Sequence, residues 1–473
     1  MVKIAIIGAG SMVFSRNLLA DILAFDALKG TTFALMDIDD ERLRVAEAMA
    51  GSINRTRGAA ATIVATTDRR EAVEGADYVI NTIGVGGVEA TRTDFRVPER
   101  FGVRQTIADT LGIGGIFRTV RSLPVVMEMA GEIERLAPGA LLMNYTNPAA
   151  THVLGVARGS GVRVVGLCHG VPHTRGRMIM LTRLAQLPLA EVDAILNDWD
   201  PHEPGGTRFS RFYRESFNDD SVETVCAGIN HMAAFLVFRR GGEDLYPLLH
   251  AAWASPTVRR LEAVRLELMV RLGYFMTETS GHIAEYLPWF LKSDDEIRRL
   301  GIRPGQYLRT CDDLDATFRD YRRRAEAGEP FIDPDRPVSV EYAARIINAL
   351  ETDEPFEFNG NVPNRPGGDG SAPLIANLPA DACVEVPCTA DGGGIRPRPM
   401  GELPPQCAAM MRTNVNVQDL VVRAILDRRR DHVHHAAMMD PNTAATLTLP
   451  EIAELVEAMF AAHGELIPQY LRR

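Results

Sequence analysis

The chain has no apolar run long enough to cross a membrane. Its first residues carry neither a basic leader nor a small-residue cleavage site, so a cytoplasmic protein is expected. Lysine and arginine, 51 together, are outnumbered by 62 acidic residues, giving a net charge of −11. Phosphate backbones need a basic face, which argues against a nucleic-acid partner. Cysteine is scarce. Cys168, Cys226, Cys311, Cys383, Cys388 and Cys407 are scattered over 473 residues. That is no disulfide framework, and it leaves a thiol free for a chemical task.

What is present is an ordinary globular composition, 46% hydrophobic and 24% charged. The length exceeds one usual core, so two domains are expected, 1–195 and 196–473, or one domain with a large appended layer. The first reads as α/β. Residues 2–7 form an apolar run suited to a strand buried on both faces. A glycine turn and a helical pattern follow. Further strands are expected at 33–38, 61–66, 77–83, 140–145 and 162–167, with helices between them, including 122–136. This alternation predicts a Rossmann-type, doubly wound parallel sheet. Beyond about 195 the pattern becomes α+β, with strands near 225–229, 233–238 and 383–387, and a Gly/Pro/Asn-rich loop over 359–379.

The turn after the first strand reads Gly8-Ala9-Gly10-Ser11-Met12-Val13. Gly8 permits the tight turn, and Gly10 lets the backbone approach a pyrophosphate at the helix N-terminus. Val13 replaces the third glycine of the usual fingerprint. Asp37, ending the second strand, suits a ribose 2′-hydroxyl and repels a 2′-phosphate, which favours NAD over NADP. Gly84 and Gly86 follow a later strand, either as a second cofactor loop or as a plain turn. Polar residues gather at the other strand ends: Asp109, Asn144, Asn147, Cys168 with His169, and Asn230 with His231. Cys168 and His231 have the chemistry of a thiolate–imidazole metal pair, or of a buried thiol and a core histidine. Spacing alone does not separate these.

At these residues the chain resembles glycoside hydrolase family four, whose NAD- and divalent-metal-dependent members stand outside the two-carboxylate scheme. The resemblance runs from Lys3 to about Leu471. It is carried by GAGSMVF at 8–14, LMDID at 35–39, QTIADTLGIGGI at 105–116, NYTNPAA at 144–150 and GLCHG at 166–170. It continues through CAGINHMA at 226–233, GYFMTETSGHIAEYLPWF at 273–290, VEVPC at 384–388, TNVNVQ at 413–418 and HHAAMMDP at 434–441. Within the family it is most similar to the α-galactosidase branch. His169 stands where phospho-sugar members carry Asn or Asp, which implies a non-phosphorylated sugar. Gly170 stands where α-galactosidases mostly carry Ser, α-glucosidase-like members Gly and uronic-acid enzymes Glu. The sugar is therefore open among α-galactoside, α-glucoside and α-uronide.

The resemblance implies NAD and Mn²⁺ or another divalent metal. Hydride leaves C3 for NAD, the metal stabilises the enolate formed when C2 loses its proton, and the glycosidic oxygen is eliminated. Water adds and the hydride returns. The resemblance further implies metal ligation by Cys168 and His231, proton donation by His169, and a C2 base among Tyr286, His282 and Glu278. Asn147 and Asp109 are expected to face the sugar, with a helix-capping role the alternative for Asp109. Ser11 and Met12 join Gly8, Gly10, Asp37, Gly84 and Gly86 as cofactor contacts. His434-His435 to Asp440 is expected either to pack a subunit interface or to border the site. The substrate is expected to be a small α-glycoside and the assembly a homodimer or homotetramer. On the same fold, a simple NAD-dependent 2-hydroxyacid dehydrogenase and a non-catalytic NAD sensor are the competing readings.

Overall fold

The computed structural model describes residues 2–198, 207–368 and 370–472. The first half supplies β1 (Lys3–Ile7), β2 (Thr32–Met36), β3 (Thr62–Thr66), β4 (Tyr78–Asn81), β5 (Leu141–Asn144) and β6 (Arg163–Leu167). They pair in parallel in the order β3-β2-β1-β4-β5-β6. This is the doubly wound order expected of alternating strands and helices. Apolar side chains of β1 divide between two cores. Ile4 and Ile6 face one with the helix Asp40–Thr56, and Ala5 and Ile7 face the other with the helix Gly112–Leu136. Burial on both faces explains why β1 reads as a continuous apolar run.

The second half supplies β7 (Val222–Ala227), β8 (Ala234–Arg240), β9 (Glu243–Asp244), β10 (Phe356–Pro363), β11 (Cys383–Asp391) and β12 (Gly394–Pro397). The first three form a separate antiparallel sheet. The last three extend the Rossmann sheet beyond β6, each antiparallel to its neighbour. One nine-stranded sheet therefore contains strands from both sides of residue 195.

Two elements differ from the sequence reading. A strand over 356–363 runs into what reads as loop from 359. Glycine and asparagine are poor strand formers, but here they permit close backbone approach. A Cβ on Gly360 would lie 3.0 Å from Cys388 Sγ, and one on Gly166 would lie 2.9 Å from Asn361 Cβ. The helix expected from Ser122 begins ten residues earlier, at Gly112. Its glycines discourage a helix by propensity, yet packing demands them. A Cβ on Gly115 would lie 2.5 Å from the Thr110 carbonyl oxygen, and one on Gly114 2.7 Å from Ala108. The helix thus seats directly on the 105–111 segment that carries Asp109.

Candidate active site

The candidate residues gather at the carboxyl ends of the parallel strands, where ligands of open α/β sheets bind, beginning with the β1 turn. Gly8 has φ +88°, and a Cβ there would lie 2.8 Å from the Thr82 carbonyl carbon. A Cβ on Gly10 would lie 2.6 Å from Asp37 Oδ2. The Gly10 N–H instead donates to that oxygen at 2.8 Å. Ser11 caps the helix Met12–Ile22, and its hydroxyl makes no cap hydrogen bond. Met12 buries its side chain in the core. Ile38, next to Asp37, is 88% exposed. A tight glycine cradle, an unpaired helix start, a carboxylate and an exposed apolar shelf fit the pyrophosphate, ribose and base of a dinucleotide.

The two glycines after β4 separate. Gly84 is exposed and borders open space. Gly86 has φ +80° and caps the helix Gly87–Arg100, and a Cβ there would collide with Ala90 and Leu466. Beneath this loop, Arg121 donates from Nε to the Val85 carbonyl at 3.1 Å. Arg121 also pairs in two-pronged fashion with Asp94, at 3.0 and 2.6 Å. His463 Nε2 reaches Asp94 Oδ1 at 2.9 Å. All three are fully or nearly fully buried.

His231 arrives from β7. Gly228 and Glu385 exchange backbone hydrogen bonds of 2.9 and 2.8 Å, which tie the end of β7 to β11. A turn with His231 at φ +64° then swings the imidazole toward the end of β6. His231 Nε2 lies 3.3 Å from Cys168 Sγ. Glu278 Oε1 lies 3.5 Å from Cys168 Sγ and 3.7 Å from His231 Nε2. A thiol, an imidazole and a carboxylate with ligand atoms within 4.8 Å suit a divalent transition ion. Asp109, His231 and His282 form an adjoining group whose ligand atoms also lie within 4.8 Å of one another. The far nitrogen of His231, Nδ1, meets the Tyr286 hydroxyl at 3.4 Å. Such a partner fixes ring orientation and tautomer.

The electrostatics suit a cation. Burial, helped by Glu278 and Glu385, pushes the Cys168 thiol well above its usual value. A bound ion reverses that preference, because it holds thiolate. Burial also works to raise the Glu278 carboxyl, but His231, His282 and His169 hold it at about 2.

His169 caps the helix Gly170–Leu184, and its side chain is 41% exposed. Its Nδ1 faces Glu341 Oε1 at 3.0 Å, which leaves Nε2 for the open side. Burial disfavours the imidazolium, but Glu341 outweighs it and the pKa rises. Asn147 donates from Nδ2 to Asp109 Oδ2 at 3.0 Å, and the Thr110 hydroxyl donates to Asp109 Oδ1 at 2.8 Å. Asp109 does not cap the next helix, whose N-cap is Leu111. Three base candidates share one segment but differ in setting. Tyr286 is wholly buried behind His231. Glu278 points into the Cys168–His231 pair. His282 ring-contacts His231 edge-on and holds Thr279 Oγ1 at 2.9 Å.

Two carboxylates here escape sequence reasoning. Glu285 accepts backbone N–H bonds from Thr106, Ile107 and Ala108 at 2.6 to 3.0 Å. It thereby clamps the Asp109 loop to the helix Ser280–Tyr286. Its place beside Tyr286 in a matched motif was the available signal. Glu341 has no such signal; it approaches His169 from 172 residues away. Asn144 is structural, bonded to Asn81 and to the Thr146 carbonyl. His434 pairs with Glu457 at 3.0 Å, and Asp440 caps the helix Pro441–Thr446.

Residues 3–184 match the family described as Family 4 glycosyl hydrolase, and 226–443 match its C-terminal domain. An α-galactosidase of Bacillus subtilis (strain 168) is 39% identical over 99% of this chain and 100% of its own. An α-galactosidase of Rhizobium meliloti (strain 1021) is 35% identical over 99% of this chain and 89% of its own. The fold is shared with a 6-phospho-α-glucosidase from gut microorganisms in complex with NAD and Mn²⁺. That match has TM-score 0.74 and 19% identity, and covers 99% of each chain. It is shared too with a Thermotoga maritima 6-phospho-β-glucosidase, with TM-score 0.72, 19% identity, and coverage of 98% of this chain and 99% of that one. With both family segments present in order along one Rossmann-based fold, the chain belongs to the family 4 glycosyl hydrolases.

Proposed function

We propose that this glycosyl hydrolase cleaves small, non-phosphorylated α-glycosides, α-galactosides first among them. The observation that carries the reading is the convergence of Cys168, His231 and Glu278 beside a dinucleotide cradle, with His169 at the rim. The two α-galactosidases that resemble the chain over its whole length support the choice of sugar.

Gly8, Gly10, Asp37 and the start of the helix Met12–Ile22 would hold NAD, and Cys168 and His231 would hold the divalent ion. When bound, these groups supply reversible oxidation at C3 and Lewis-acid polarisation of the neighbouring oxygens, which makes the C2 proton acidic. The chain's own residues do the rest. Asp109 and Asn147, locked to each other, present a carboxylate and an amide to sugar hydroxyls. His169 Nε2 carries a proton toward the glycosidic oxygen, with Glu341 fixing the ring. His282, at the edge of His231, is placed to take the C2 proton. Tyr286 braces His231 from behind and does not reach the open side.

The test is release of nitrophenol from nitrophenyl α-galactoside in the presence of NAD, Mn²⁺ and a reductant, beside the α-glucoside and α-glucuronide. Release that needs both additions, with incorporation of solvent deuterium at C2, is expected. Release that survives removal of both overturns the mechanism. Turnover of the glucoside or glucuronide alone overturns the choice of sugar. Stoichiometric accumulation of NADH would instead mark a dehydrogenase.

A further inference from the structure

Gly170 and Glu278 occupy the same space. An ideal Cβ on Gly170 would lie 1.7 Å from Glu278 Oε1 and 2.8 Å from its carboxyl carbon. No side chain at 170 can coexist with this placement of Glu278. Gly170 does not need a positive φ, so glycine is not explained by backbone conformation. It is the first residue of a helix, where glycine is a poor helix former. The remaining reason for it is room.

Glu278 is pressed into that room by its own backbone. Its φ is +70°, a left-handed conformation unfavourable for a residue with a side chain. The conformation is clamped by Thr174, one turn along the helix from Gly170. The Glu278 N–H donates to Thr174 Oγ1 at 3.1 Å, and the buried Arg265 donates to the same oxygen at 3.2 Å. The carboxylate is thereby carried over Gly170 and set against Cys168 and His231.

The resulting triangle has sides of 3.3, 3.5 and 3.7 Å between the thiol sulfur, the imidazole nitrogen and the carboxylate oxygen. Ligands bound to one ion at roughly 2.0 to 2.3 Å stand about 3 to 3.7 Å apart. The three atoms thus lie at the spacing of ligands around a common centre. Two protein ligands leave an ion loosely held; a third of hard, anionic character adds charge and fixes its position.

We propose that Glu278 is a third protein ligand of the divalent cation, and that Gly170 is the residue whose missing side chain admits it. This rests on the reading of Cys168 and His231 as cation ligands. It takes Glu278 out of the set of C2 bases and makes position 170 a determinant of cation affinity.

Mn²⁺ binding to the full chain, read from the electron paramagnetic resonance of free Mn²⁺ and by calorimetry, tests it without any turnover. The variants are Cys168→Ser, Glu278→Gln, Gly170→Ala and the Gly170→Ala/Glu278→Gln pair, each checked for fold by circular dichroism and thermal unfolding. Glu278→Gln and Gly170→Ala are each expected to weaken Mn²⁺ about 10- to 100-fold. The double variant is expected to be no weaker than either single, since both remove one contact. Glu278→Gln, nearly isosteric, decides the matter if Gly170→Ala does not fold, and the converse holds. Wild-type affinity in a folded Glu278→Gln, or in a folded Gly170→Ala, overturns the proposal while a weakened Cys168→Ser leaves the cation site standing. Wild-type affinity in Cys168→Ser overturns the cation site itself.

Discussion

Glu341 Oε1 lies 3.0 Å from His169 Nδ1, and 172 residues of chain separate the two. Glu341 is 5% exposed while the His169 side chain is 41% exposed, so a buried carboxylate grips Nδ1 of a partly exposed ring and leaves Nε2 outside that bond. Oriented by one partner, the ring can act on another.

That relationship predicts a graded loss. His169→Ala should lower kcat about 100-fold or more, within the range for loss of a general acid. Glu341→Gln should lower it less, about tenfold, with KM nearly unchanged. It should also lower the pKa of the protonated group in the kcat profile, because the carboxylate that favours imidazolium is gone. A pH–rate profile of both variants checks this. An unchanged profile in Glu341→Gln removes Glu341 from the acid's setting.

Asp37 predicts dinucleotide preference. Its carboxylate already accepts the Gly10 and Asp39 N–H bonds, at 2.8 and 3.0 Å, so it is held rigidly at the end of β2, beside the glycine turn. Asp37→Ala should weaken NAD about tenfold and narrow the preference over NADP, since the repulsion of a 2′-phosphate is lost. Calorimetric titration with both nucleotides gives the ratio. A ratio equal to wild type refutes the assignment.

The Asp94–Arg121–His463 group predicts stability. Asp94 is wholly buried and bears Arg121 on both oxygens. Removing its charge leaves a buried guanidinium unpaired, a change that typically costs about 3 to 5 kcal/mol. Asp94→Asn should lower the melting temperature by several degrees and loosen the Val85 carbonyl that Arg121 holds. A melting temperature equal to wild type would show the pair to be dispensable.

Asp440 predicts a pH dependence. Burial pushes its carboxyl up from 3.8 to about 6, against the Thr443 N–H and hydroxyl that favour the charged form. A raised folded-state pKa gives stability that is full below the unfolded value near 4 and is lost as pH rises through 6. Asp440→Asn keeps the cap and cannot ionise. Relative to wild type it should gain up to about 3 kcal/mol between pH 4 and 7. Paired thermal melts across that window read the gain. A difference independent of pH would show that Asp440 does not titrate there.

Glu285 predicts positioning. With three backbone N–H groups of the Asp109 loop on its carboxylate, Glu285→Ala should raise KM several-fold through the displaced Asp109–Asn147 pair. Mn²⁺ affinity should change little, because the Glu285 carboxylate bonds to the backbone of residues 106–108 and not to Cys168, His231 or Glu278. Separate measurement of KM and Mn²⁺ affinity decides this, and parallel loss of both would mark general unfolding of the site.

By itself the sequence determined whatever is local. A strand buried on both faces must be apolar along its length, so β1 and its parallel neighbours were visible as runs. A turn that lets one backbone touch another must be glycine, so Gly8 and Gly10 stood out, and Asp37 followed from strand length. Cys168 and His231 were legible as chemistry but not as neighbours, since 63 residues and a second sheet lie between them. Only the tertiary structure decided what depends on contact. The Gly228–Glu385 pairing delivers His231 to Cys168, Glu341 reaches His169 from 172 residues along the chain, and Glu285 clamps the Asp109 loop. The glycines at 112, 114, 115 and 360 read as breakers because propensity is a property of a residue alone. Packing made them parts of a helix and a strand, because the space left at 114, 115 and 360 is filled by a neighbour the sequence does not place, and Gly112 takes a left-handed turn at φ +81°.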